Sequence, residues 1–135
     1  MLYSDEDKIS MDGKKRFDPQ FKTDFNPDLL RSMNYICHLL VVRREFACQV
    51  GFLDGSYDGA QDYDFILRCA ESTEKIAHIP KILYHWRCHE DSTAVNQESK
   101  LYAFEAGRRA LQAHLDRLGI RGEVSRGEYL GMYRT

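Results

Sequence analysis

The sequence predicts an α/β domain, and three observations carry that reading. Short apolar stretches of strand type, "YICHLLVV" (35–42), "KIAHIP" (75–80) and "ILYHW" (82–86), are separated by stretches with helical signatures. One of the latter, beginning at about Asn96, sets Leu101, Phe104, Leu111, Leu115 and Leu118 on a common face. Strand and helix patterns are interleaved along the chain, which is the mark of a mixed architecture. The length of 135 residues suits one domain with one core.

Taken in order, the chain opens on "LYSDED" (2–7), a short strand that runs into Asp5, Glu6 and Asp7. Adjacent carboxylates repel, so such a cluster is either a solvated turn or a cation site. Residues 8–25 carry Asp12-Gly13, Pro19 and many charges and read as a long polar connection. Asn26 as N-cap, Pro27 at the first helical position and Asp28 in the first turn predict a helix start. The strand at 35–42 ends at Arg43-Arg44, and "REFACQVG" reads as a short helix stopped by Gly51. After the glycine-rich loop 52–60, "QDYDFILRCAE" predicts a helix with Asp62 in its first turn and Phe65, Ile66 and Cys69 inward. Two short strands flank Pro80, the long amphipathic helix follows, and Gly119 ends it. The glycine-dotted end of the chain, 119–135, reads as a linker or tail.

Composition narrows the functional classes. Hydrophobic content of 43% and a net charge of −2 describe an ordinary globular chain with scattered basic residues, which gives nucleic acid no electrostatic footprint. No apolar run approaches the roughly 20 residues of a membrane span. Met1 to Lys8 has no basic segment followed by an apolar one, so no signal peptide is expected. The irregular spacing of Cys37, Cys48, Cys69 and Cys88 predicts reduced thiols. A cytoplasmic protein is expected, with peripheral contact at the inner face of the membrane left open.

Acids and imidazoles recur where elements end. Asp5 and Asp7 close a strand, Asp62 and Asp64 open a helix, and His85 and His89 follow the last strand. In open α/β sheets such positions converge beyond the carboxyl ends of the strands. Two carboxylates and an imidazole suit a divalent cation that carries a phosphorylated ligand, and a further carboxylate is free to act as base.

The segments "YSDEDKI", "DGKKRFDPQFKTDFNPDLLRSMNYICHL", "GSYDGAQDYDFILR" and "IPKILYHWRCHEDSTA" resemble, in order and spacing, the C-terminal half of an inverting family 2 glycosyltransferase of the GT-A fold. The likeness is closest to bacterial enzymes of surface-polysaccharide and O-antigen assembly. It implies a partial GT-A fold, a small mixed sheet with packed helices, over residues 1–118. It also implies that the nucleotide-binding half precedes this segment. The expected reaction is transfer of a sugar from a nucleotide-diphosphate donor to a hydroxyl of a saccharide or lipid-linked saccharide acceptor, with inversion. Thr23 and Phe25 depart from the proline and tryptophan usual in close relatives, and Gln61 stands where glutamate is frequent.

Roles follow from the resemblance residue by residue. Asp5 and Asp7 match the D-x-D motif, with Asp7 the metal ligand for Mn²⁺ or Mg²⁺ and Asp5 reaching the ribose or the metal. Residues two apart on a strand share a side, which suits that pair. Asp62 matches the catalytic base, with Gln61 beside it a candidate substrate contact. His85 is the preferred metal ligand of the last strand, with His89 the other candidate. Arg87 and Lys81 are candidates for the diphosphate, Trp86 for a sugar-stacking wall or for the core, and Asn34, Tyr35 and His38 for the acceptor side. Asp64 reads as a structural acid. With the preceding half absent, the sheet edge at Met1, Leu2 and Tyr3 is expected to be exposed and to support a homodimer. Two other readings stand beside this one: a non-catalytic assembly module, and a zinc-binding module built from Cys37, His38, His85, Cys88 and His89.

Overall fold

The structure, a computed structural model, describes residues 1–88 and 101–135. It is a mixed α/β fold, as the sequence predicts. Strand β1 (Leu2–Ile9) is the centre of a four-stranded sheet. Along one side it pairs in parallel with β4 (Ala77–Arg87) over its full length. Its other side is shared by two antiparallel partners. The two-residue strand β3 (Leu40–Val41) meets Leu2 and Tyr3, and β2 (Arg16–Gln20) meets Glu6 to Ile9.

Helices α1 (Pro27–Ser32), α2 (Arg44–Val50), α3 (Gln61–Ser72) and α4 (Leu101–Leu118) accompany this sheet. Local chemistry explains their ends. Asn26 Oδ1 accepts from the backbone N–H groups of Asp28 and Leu29, both at 3.0 Å, ahead of Pro27. Gly51 and Gly119 take φ of 85° and 67°, which stops α2 and α4 as expected. The core lies where α3 packs on α4. Ile66, Leu67, Leu111 and Leu115 are all at most 1% exposed, and each contributes about 1.5–3 kcal/mol by leaving water.

Five expectations need correction. The segment 35–42 is strand only at Leu40–Val41. Tyr35 and Ile36 are buried as the apolar pattern implies, but their segment leaves the sheet, and the carbonyls of Ile36 and His38 accept instead from the Lys22 ammonium. The two strands around Pro80 are one. Pro80 falls in the interruption between the pairs Ser4–Ile79 and Asp5–Ile82, where its missing N–H forfeits no ladder bond. The polar connection 8–25 contains the end of β1, a turn closed by Ser10 N–H to the Lys15 carbonyl at 2.8 Å, and β2. Every residue of β2 is exposed, so it carries no alternating pattern to read.

The end of the chain is not an extended tail. Beyond α4, strands β5 (Ser125–Arg126) and β6 (Tyr133–Arg134) pair with each other. Val124 and Tyr133 are 2% and 7% exposed. The Tyr133 ring stacks on Tyr63 at 6.0 Å, and its hydroxyl donates to the Phe104 carbonyl at 3.0 Å. This return is possible because Gly107 leaves room on α4, where an added Cβ would overlap the Tyr133 hydroxyl.

Nor is Met1–Tyr3 an open edge. Strand β1 has a neighbour on each side, and Tyr3 is 1% exposed. Among the described residues, the long free edge belongs to the outer side of β4.

Candidate functional site

The acid cluster is neither a solvated turn nor an open cage. Asp5, Glu6 and Asp7 are between 3% and 6% exposed in the middle of β1, and each is held by specific partners, as a buried carboxylate must be. The irregularities of the sheet lie in β2 and β4, so side chains along β1 itself alternate without interruption. Asp5 and Asp7 share one face and Glu6 takes the other.

On the Asp5–Asp7 face, Asp5 Oδ1 accepts from the backbone N–H of Lys22 at 2.9 Å and lies 2.8 Å from His78 Nε2. The His78 ring stacks on Tyr3 at 4.9 Å. Asp7 Oδ2 accepts from Arg16 Nε at 2.7 Å, while Oδ1 meets His85 Nδ1. Burial works to raise the Asp7 pKa, but the hydrogen bonds from His85 and Arg16 outweigh it and hold the carboxyl below its ordinary value of 3.8.

On the opposite face, Glu6 Oε2 accepts from the His38 backbone N–H at 2.9 Å and stands 3.2 Å from His38 Nδ1. Its second oxygen is 3.9 Å from Lys22 Nζ, whose side chain is only 3% exposed. Burial pushes the Lys22 pKa down, with Glu6 pulling the other way. His38 stacks on Tyr84 at 4.7 Å and leans on Trp86 at 5.8 Å. One ligand atom each from Cys37, His38 and Asp62 lies within 4.8 Å of the other two. Burial first, and then the Asp62 carboxylate beside it, push the Cys37 thiol pKa far up.

Asp62 is the second residue of α3. Its Oδ1 accepts from the Tyr63 backbone N–H at 2.8 Å, and Oδ2 is 3.4 Å from Asn34 Nδ2. A pocket of about 240 Å³ opens at this point. Asn34, Asp62, Tyr63 and Trp86 line one part of it, and Phe104, Gly131 and Tyr133 the other. Among the described residues, the buried oxygens Asn34 Oδ1 and Gln61 Oε1 have no hydrogen-bond partner. A polar ligand with donor groups would satisfy such acceptors.

The predicted site residues therefore divide into two groups. Asp7 and His85 meet, with Asp5 behind them, but Asp62 stands across the sheet with Glu6, His38, Asn34, Gln61 and Trp86. A cation on Asp7 and His85 would face away from the base, so this pair does not fit the metal role in the same centre. Both Asp7 oxygens are also occupied, and Asp5 is committed to His78 and the Lys22 backbone. Arg87 reaches the carbonyls of Ser10 and Met11, at 3.3 and 2.7 Å, and thereby holds the β1–β2 turn. Lys81 is exposed on β4. Asp64 is structural as expected: its Oδ2 pairs with Arg68, whose guanidinium also holds the carbonyls of Val50, Gly51 and Phe52. His89 lies outside the described residues.

Sequence reading passes over Glu6, Lys22, His78 and Tyr133. For Glu6 a signal exists, since alternation along β1 already opposes it to its two neighbours. Lys22 offers none, because an isolated lysine in a charged stretch looks solvated.

Fold and site together define a mixed α/β domain with a carboxylate-bearing, aromatic-walled pocket at a helix start. No protein-family model matches the chain. It is similar to an uncharacterised protein, y4gI, of Sinorhizobium fredii, with 48% identity over 119 residues, covering 87% of this chain and 13% of that protein. It is also similar to the O-antigen biosynthesis protein RfbC of Myxococcus xanthus, with 46% identity over 125 residues, covering 93% of this chain and 10% of the relative. The chain thus spans little more than a tenth of the length of these relatives. Among the described residues, no helix is long and apolar enough to cross a membrane.

Proposed function

We propose that this chain is the acceptor-side part of an inverting glycosyltransferase of the family 2, GT-A type, acting in cell-surface polysaccharide synthesis. The observation that carries the reading is Asp62, a carboxylate at a helix start in a pocket walled by Trp86, Phe104 and Tyr133. Aromatic faces pack against the apolar side of a sugar ring, and Asn34 and Asp62 offer acceptors for its hydroxyls. Similarity to an O-antigen biosynthesis protein supports a saccharide as the ligand.

In this reading the acceptor hydroxyl lies against Asp62, which takes its proton as the oxygen attacks the anomeric carbon of a nucleotide-diphosphate sugar. Asn34, 3.4 Å from the same carboxylate, orients it. Trp86 sets the plane of the sugar. Asp7 and His85, on the other face of the sheet, take no part in this proton transfer.

The test uses a protein that joins this segment to its nucleotide-binding half. Asp62→Asn should lower turnover by about 10²–10⁴-fold while donor binding, measured by calorimetry, stays within a factor of two or so. Turnover close to that of the unaltered protein would remove Asp62 from the mechanism. Loss of donor binding together with turnover would instead mark Asp62 as part of the donor site.

A further inference from the structure

We infer that Cys37, His38 and Asp62 form a site for a thiophilic divalent cation, of which zinc is the biological example. A thiol, an imidazole nitrogen and a carboxylate oxygen lie within 4.8 Å of one another, and among the described residues no other group of histidine, cysteine and acidic side chains does so. On a shared tetrahedral ion at about 2.0–2.3 Å, ligand atoms stand roughly 3.3–3.8 Å apart, so these three draw together on binding. Sulfur in the donor set disfavours Mg²⁺ and Mn²⁺ and favours zinc, with water or a ligand oxygen in the fourth position.

The surroundings suit a metal. Glu6 Oε2 is 3.2 Å from His38 Nδ1, so with Nε2 as the ligand a carboxylate backs the ring through its other nitrogen. Such carboxylate–histidine pairs fix the ring and raise its donor strength. Access is open, since His38 is 37% exposed in its side chain and the cluster lies between two pockets that share Asn34 and Trp86. Charge also closes: with Cys37 bound as thiolate, the cation and the Lys22 ammonium face three negative groups, Cys37, Asp62 and Glu6.

This grouping differs from the zinc module considered from sequence. His85 stands across the sheet on Asp7, and Cys88 does not join the cluster. Binding at the site is independent of the glycosyl-transfer reading. Its consequence rests on that reading: a cation on Asp62 occupies the base and competes with the acceptor, so zinc would inhibit transfer.

Cobalt(II) provides the test, because its thiolate charge-transfer absorption reports a sulfur ligand and its visible bands report tetrahedral geometry. Titration of the chain should give one cobalt site with a thiolate band that zinc displaces. Cys48→Ser, at an exposed free cysteine, should leave the band intact, whereas Cys37→Ser should abolish it with unchanged far-ultraviolet circular dichroism. Glu6→Gln should keep the band and weaken cobalt binding by about 10–100-fold. No thiolate band in the unaltered chain, or one that survives in Cys37→Ser, would overturn the assignment. Should Cys37→Ser misfold, Asp62→Asn substitutes: cobalt affinity unchanged in that variant equally rejects the site. None of these readouts involves a sugar, so failure of the acceptor reading leaves them untouched.

Discussion

Gly107→Ala reports directly on how the chain end is held to α4. In an isolated helix the change is favourable by about 1 kcal/mol, since alanine is the better helix former. Here the new methyl would overlap the Tyr133 hydroxyl and stand 3.1 Å from Tyr133 Cζ. Tyr133 has little freedom to yield: its ring is stacked on Tyr63, its hydroxyl is bonded to Phe104, and its backbone is paired in β6. Overpacking of this kind costs about 1–3 kcal/mol. The net effect in the unaltered chain is a loss of up to about 2 kcal/mol. In a Tyr133→Ala background the obstruction is gone, and the nearest remaining atom, Tyr63 Cδ1 at 3.6 Å, is an ordinary contact. There Gly107→Ala should stabilise. Urea unfolding of the four proteins in the cycle measures the coupling, in which helix propensity cancels and the clash of about 1–3 kcal/mol remains. Additivity within about 0.5 kcal/mol would refute the packing of Tyr133 on α4.

Three further outcomes follow from the buried charges and the sheet edge. Lys22→Met strands the Ile36 and His38 carbonyls and leaves Glu6 without its cation, so unfolding free energy should fall by about 3–5 kcal/mol; a change below about 1 kcal/mol in urea titration would exclude a structural role for this ammonium. The Asp7 carboxyl is held below its ordinary 3.8, so the stability it contributes is complete above that value and disappears as pH falls through the lower folded value. Asp7→Asn should therefore flatten the acid limb of a stability–pH curve, and an equally steep limb in the variant counts against the ion pair. Finally, among the described residues the outer side of β4 is an unpaired edge with Leu83 50% exposed, and we propose that the chain self-associates there as a symmetric dimer; sedimentation as a monomer at high concentration would reject it.

What the sequence disclosed depended on whether the deciding chemistry was local. Helix α1 is written in three consecutive residues, Asn26, Pro27 and Asp28, and it forms as they dictate. Helices α2 and α4 end at glycines that adopt positive φ, again a local property. The continuity of β4 was not legible, because whether Pro80 breaks a strand depends on the partner opposite it, and β1 happens to present an interruption there. The apolar run at 35–42 reads correctly as buried but not as strand, since its backbone partner is the Lys22 side chain, brought in from outside the pattern. In the site, Asp62 and its helix start were legible. The separation of Asp62 from Asp7 was only half so. Alternation along β1 tells which acids oppose each other, but the face that receives α3 is fixed by tertiary packing, and that placed the base with Glu6.

Strand β1 also constrains which changes in length this region can accept. Its neighbours β2 and β4 already carry extra residues opposite it, so a further insertion there enlarges an existing irregularity and leaves every carboxylate where it was. An insertion or deletion between Tyr3 and Asp7 has no such outlet. It would turn Asp7 toward His38 and Glu6 toward His85, or strand both without partners, because one step along a strand reverses every side chain beyond it. Related chains should thus vary in length on either side of these residues and keep the spacing from Tyr3 to Asp7 fixed.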